Sequence, residues 1–208
     1  MSPASPSYWS TACQSLARSD AVMADLIERY PGFELKANPD PFVTLARAIV
    51  GQQISTRAAD TVWQRLSQVV EPFAPAILLQ QADSLLRTAG LSGRKVMYLQ
   101  DLARHFDDGR IDPRHWEQQS DAELIAELSA VHGIGRWTAE MFLIFHLARP
   151  DVFPVDDLGL VRAIELHYHS GQKLARQDLL RLAQNWTPWR TVATWYLWRS
   201  LDPTPIQY

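Results

Sequence analysis

The chain has 208 residues, 47% of them hydrophobic and 21% charged, enough for one compact unit or two small lobes with a sizeable core. Its formal net charge of -3 argues against a protein that coats nucleic acid electrostatically, though not against one that grips a few phosphates through backbone amides and helix N-termini. Cys13 is the only cysteine, which excludes an internal disulfide and any four-cysteine zinc or iron–sulfur centre. No stretch approaches the roughly 20 consecutive apolar residues of a membrane-spanning helix. The opening residues lack the basic and apolar blocks of a signal peptide, so the expectation is a cytoplasmic protein without membrane contact.

Helical punctuation runs along the chain and sustained alternation is absent, which predicts an all-α fold. Asp20 caps a helix from Ala21 to Tyr30, stopped by Pro31-Gly32. Asp40-Pro41 is an N-cap with proline at the first helical position, and Phe42, Leu45, Ala46 and Ile49 follow on one face. Ser55 caps a helix through Val69, with Ala58, Ala59, Val62, Trp63 and Leu66 expected to point inward. Ser92 begins another, carrying Val96, Leu99, Leu102, Ala103 and Phe106 before Asp108-Gly109 ends it. Ser120 and Glu123 make a capping box. An apolar helix is expected from about Arg136 to Leu147, broken by Arg149-Pro150-Asp151, and Val152 to Val155 reads as extended. Asp156 or Asp157 then caps a helix to about His167. Two more helices, Ala175 to Gln184 and Thr187-Pro188 to Ser200, precede Asp202-Pro203.

Between two amphipathic helices lies Val131-His-Gly-Ile-Gly135. Glycines permit positive φ and close approach of the backbone to a ligand. Because the turn opens into a helix, the N–H groups of Gly133, Gly135 and Arg136 can converge on an anion, while Ile134 pins the turn into the core and His132 stands beside the site. A plain helix-to-helix turn explains the same spacing equally well.

The wider context sharpens the choice. The hairpin, the apolar helix after it and Asp151-Val-Phe-Pro-Val-Asp-Asp157 resemble, in order and spacing, the helix–hairpin–helix superfamily of DNA glycosylases. Ala48-Ile-Val-Gly-Gln-Gln-Ile-Ser55 and the C-terminal Pro188-Trp-Arg with Trp198 are similar, more narrowly, to the 3-methyladenine DNA glycosylase II family in a short form without an N-terminal β domain. That resemblance implies two helical lobes sharing a cleft: 1–40 with 158–208 as a terminal lobe, and 41–157 as a central barrel containing the hairpin. It also implies a monofunctional hydrolase of alkylated purines of the 3-methyladenine and 7-methylguanine type, acting in base excision repair.

Cleaving an N-glycosidic bond builds positive charge on the sugar, which a fixed carboxylate stabilises. Asp157 is expected to be that carboxylate, with Asp156 capping or orienting beside it; for either residue N-capping alone is the competing explanation. Relatives that cleave the strand use a lysine where this chain has Trp137, and an indole forms no imine. The resemblance puts Trp137, Trp198 and Met141 in the base pocket, where electron-rich rings attract cationic bases. It makes Gln53 the wedge that fills the stack after the target nucleotide is extruded; that Gln52 and Gln53 merely satisfy backbone groups between helices is the competing explanation. Arg94 and Lys95, in a second glycine-containing turn, are candidates for another phosphate. The expected partner is double-stranded DNA containing damaged bases, bound by a monomer. No cofactor or metal is expected, apart from a monovalent cation that the hairpin carbonyls could hold. Two alternatives stay open on the sequence: a non-catalytic helix–hairpin–helix module, and a glycosylase for other lesions on the same fold.

Overall fold

A computed structural model describes residues 6–31 and 39–201. The chain divides into two compact units, one built from residues 6–31 and 143–201, the other from residues 39–142. Among the described residues the regular elements are all helical, and Val152 to Val155 is irregular rather than a strand. The boundary at 142/143 differs from the expected one at 157/158. The reason is local: the segment from Arg149 to Val152 is hydrogen-bonded to Arg190 and Thr191 and so belongs with the chain's C-terminal part. Gly32 and Asp202-Pro203, expected as stops, lie outside the described residues.

The first unit opens with α1 (Trp9–Ser19) and α2 (Ala21–Arg29). Sequence punctuation does not announce α1, because no side chain caps it; burial of Trp9, Ala12 and Leu16 holds it instead. In the second unit, α3 (Pro41–Gly51) starts at Asp40, whose side chain accepts from the Val43 N–H at 2.9 Å. Next comes α4 (Thr56–Val69), capped by Ser55. Leu66 is buried as expected, but Ala58 is exposed, so the first turn of α4 adds little to the core. Two short helices, α5 (Pro75–Leu79) and α6 (Asp83–Thr88), carry no capping side chain and are too short to show a periodicity.

The long α7 (Gly93–Asp107) starts at Ser92, ends before Gly109 at φ +70°, and is packed by α3, α5 and α6. Around Phe42, the rings of Phe73, Phe106 and Trp63 form one aromatic cluster. The expected capping box, with Ser120 and Glu123 bonded reciprocally, begins α8 (Asp121–Ser129). The chain then passes through the hairpin into α9 (Arg136–Phe145).

Back in the first unit come α10 (Leu158–Tyr168), α11 (Arg176–Ala183), a 3₁₀ turn at Gln184–Trp186, and α12 (Arg190–Leu201). Every residue of α12 from Thr191 to Arg199 is buried, so this helix has no solvent face. It packs on α1, α2 and α10. Asp20 ties the unit together. Its Oδ1 accepts from the N–H groups of Val22 and Met23, at 2.9 and 3.1 Å, starting α2. Its Oδ2 accepts from Tyr168 Oη at 2.8 Å and Trp186 Nε1 at 2.9 Å.

Asp20→Ala removes a helix cap and strands two largely buried donors at once. It should lower unfolding free energy by about 2–4 kcal/mol in urea titration. A loss no larger than that of an ordinary cap, about 1 kcal/mol, would show that Tyr168 and Trp186 find other partners.

Candidate active site

The segment from Arg149 to Asp157 is fastened at both ends to α12. At its start, Arg190 Nε and Nη2 donate to the two carboxylate oxygens of Asp151, each at 2.7 Å. Beside them the Thr191 hydroxyl donates to Arg149 O at 2.6 Å and accepts from the Val152 N–H at 2.9 Å. At the other end, Asp157 is the N-cap of α10, and its Oδ1 accepts the Leu160 N–H at 2.7 Å. The same oxygen accepts Trp198 Nε1–H at 2.9 Å. Backbone and indole therefore converge on one carboxylate oxygen, which fixes the carboxylate's direction. Gly159 leaves room for this: a Cβ there would stand 3.3 Å from Asp157 Oδ1 and 3.6 Å from the Trp198 ring.

The pair of aspartates divides its work differently from expectation. Capping belongs to Asp157, while Asp156 is exposed and ion-paired with Arg176. The backbone explains it: Asp157 has extended φ and ψ of -73° and 116°, so its side chain turns back over the first turn of the helix. Trp198, expected to offer an indole face, is only 8% exposed and stacks on Phe145 with centroids 5.9 Å apart. Its N–H serves the carboxylate.

In the second unit, the hairpin is held from below by α7. Asp101 Oδ2 accepts the His132 backbone N–H at 2.9 Å and lies 2.8 Å from His132 Nδ1. Burial raises the Asp101 carboxyl, but the His132 backbone and ring contacts outweigh it and hold the group below the usual carboxylate range. The His132 ring itself is exposed. Gly133 has φ +88°, and its Cα lies against Tyr98: a Cβ would come within 2.3 Å of that ring. Gly135 has no positive φ and nothing within 4 Å of a Cβ, so only the first glycine answers to the conformational argument. Ile134 is buried and donates its N–H to Val131 O at 3.1 Å. Helix α9 starts just beyond, with Ala139 N–H bonded to Gly135 O, so the N–H groups of its first turn have no partner within the helix. Arg136 is exposed, and its Nε donates to Glu140 Oε1 at 2.9 Å.

Trp137, on that first turn, is 38% exposed, an indole at the surface. Met141, one turn on, is buried and lines a small apolar recess with Thr44, Leu45, Ala48, Thr138 and Phe142. Gln53 is exposed at φ +60° in the turn between α3 and α4. The Lys95 ammonium is turned onto the backbone, donating to Val50 O at 2.6 Å and Gln52 O at 2.9 Å. Gln52 Nε2 donates in turn to Gly133 O at 2.8 Å. Gln52 thus does satisfy a backbone group, as one of its two readings had it, while sequence reasoning missed Tyr98, Asp101 and Arg176 as supports. No local signal marks them, because each acts on a residue at least 20 positions away.

A model of the HhH-GPD superfamily of base excision DNA repair proteins matches residues 46–188. The chain is similar to DNA-3-methyladenine glycosylase 1 of Schizosaccharomyces pombe, 31% identical over 182 residues, which span 86% of this chain and 80% of that one. Among solved structures it is similar to the DNA-3-methyladenine glycosidase of Bacillus halodurans, with a TM-score of 0.85 and 34% identity over 97% of this chain and 92% of the other. A Schizosaccharomyces pombe 3-methyladenine DNA glycosylase solved with abasic DNA gives 0.82 at 28% identity, over 94% and 100%.

The two hairpin glycines should respond differently to substitution. Gly133→Ala meets both positive φ and the Tyr98 ring and should cost about 1–3 kcal/mol in chemical denaturation. Gly135→Ala should stay within about 0.5 kcal/mol of the parent. Equal losses would mean that Gly135 is constrained by something other than backbone conformation or space.

Proposed function

The chain belongs to the HhH-GPD superfamily of base excision DNA repair proteins, and from that membership we propose that it is a monofunctional DNA glycosylase for alkylated purines. The observation that carries this reading is the seating of Asp157, whose Oδ1 takes N–H groups from Leu160 and Trp198. A carboxylate anchored this way needs little reorganisation when positive charge develops beside it. In the proposed reaction the N-glycosidic bond breaks and its electrons leave with the base. Asp157 stabilises the oxocarbenium-like sugar, and water adds at C1′ and gives up its proton to solvent.

Trp137 supports a water nucleophile, since it stands where an imine-forming relative would need lysine. Its exposed indole suits a base whose ring is already positive, and such a base needs no general acid to leave. Trp198 contributes chiefly by orienting the carboxylate, with Met141 shaping an apolar recess rather than offering a surface. The amides of Gly133, Gly135 and Arg136 hold a phosphate, His132 stands beside it, and Gln53 enters the stack opposite the extruded nucleotide. The partner is double-stranded DNA containing a damaged base, bound by one copy of the chain.

Base release from 7-methylguanine duplexes tests the reading. Asp157→Asn keeps a capping side chain but loses the charge, and should slow release by roughly a hundredfold or more with duplex affinity unchanged. Asp156→Asn should do far less, because Asp156 is paired with Arg176 at the surface. Borohydride should trap no protein–DNA adduct. Unimpaired release by Asp157→Asn, or a strong trapped band, would defeat the proposed mechanism. Enhancement over spontaneous loss should be greater for 7-methylguanine than for neutral hypoxanthine; equal enhancement would remove cation recognition alone.

A further inference from the structure

Gln53 sits at φ +60°, a region that non-glycine residues occupy only when their surroundings impose it. The surroundings are on hand. The Gln52 carbonyl belongs to the peptide plane immediately before Gln53, and Lys95 Nζ holds that oxygen at 2.9 Å. The same ammonium holds Val50 O at 2.6 Å, two residues earlier, so it bridges the end of α3 and the turn. The Gln52 side chain points the other way and donates to Gly133 O at 2.8 Å. Gly133 is the hairpin residue that Tyr98 and a positive φ already fix in place. The turn that presents Gln53 is thus tied on one side to the first turn of α7 and on the other to the hairpin.

A lysine that only neutralised a helix C-terminus could do so from solvent. This one is partly buried, and desolvation pulls its ammonium below the usual lysine range. A partly desolvated cation on two carbonyls is a firm link, since water makes good the loss of either bond only in part.

We propose that Lys95 and Gln52 are positioning residues for opening the duplex, holding Gln53 at a fixed offset from the hairpin that grips the phosphate. Insertion of the side chain is then registered against the bound backbone. The ordering of the turn is settled before DNA arrives, which lowers the cost of extruding a nucleotide. This inference rests on the DNA glycosylase reading.

The test separates opening from chemistry. The probe is a duplex with 2-aminopurine next to a tetrahydrofuran abasic site, whose fluorescence rises when an inserted side chain unstacks the neighbour. Lys95→Met keeps the aliphatic stem, and Gln52→Met keeps the length; each breaks a different bond. Both should diminish the fluorescence rise while leaving affinity for undamaged duplex within about twofold, because no phosphate contact is lost. Release of 7-methylguanine from a fully paired duplex should fall about tenfold, the size of one charge-assisted hydrogen bond. Opposite an abasic site, where extrusion is cheap, the fall should be less than about twofold. In a Gln53→Ala background the two substitutions should add little, since all act through one side chain. An undiminished fluorescence rise in both variants, equal loss on both substrates, or full additivity with Gln53→Ala overturns the proposal. Loss of the fluorescence rise in variants of a protein that releases no base would support it while defeating the glycosylase reading.

Discussion

A helix without a solvent face can pair its polar groups only inside the protein, and α12 governs its unit through the pairs it makes, although the buried Thr194 hydroxyl is left without one. Between Thr191 and Arg199 it buries hydroxyls, an indole N–H and a guanidinium. Thr191 meets its need with Arg149 and Val152, Trp198 with Asp157, and Arg199 lies over the rings of Tyr30 and Trp195. Two of those solutions are bonds to the segment that carries the aspartate. The packing demand of the core and the geometric demand of the site are met by the same atoms, so the carboxylate is as well fixed as the core itself.

The hairpin follows a similar logic with a smaller margin. Its backbone is held from behind, by Asp101 at the His132 N–H, Tyr98 at the Gly133 Cα and Gln52 at the Gly133 carbonyl. A loop of this kind is preorganised by what it cannot do. The one position that tolerates no side chain is the one pressed against a ring.

What could be read directly from the chain was whatever is settled within a few residues. Asp20, Asp40, Ser55, Ser92 and Ser120 each cap the helix they were expected to cap, because a cap depends only on the next three N–H groups. Among the helices without a capping side chain, α1, α5 and α6 left no such mark, whereas α11 was expected from the sequence without one. Within Asp156-Asp157 the choice of cap turned on a backbone rotation that composition does not encode. The motif residues were legible through their spacing and family resemblance. The bonds that hold them were not: Lys95 acts 43 positions away on Gln52, and Gln52 acts 81 positions away on Gly133.

The division of the chain also bears on how it is made. Residues 39–142 form a continuous unit whose partners emerge from the ribosome close together in time. The unit that contains Asp157 is split, and Asp20 waits for Tyr168 and Trp186, 148 and 166 positions later. Until α12 arrives, the apolar faces of α1 and α2, with Leu16, Met23 and Leu26, lack the helix that will cover them. During synthesis the aspartate-bearing unit therefore closes last, with the apolar faces of its first two helices waiting on the distant segments that complete it.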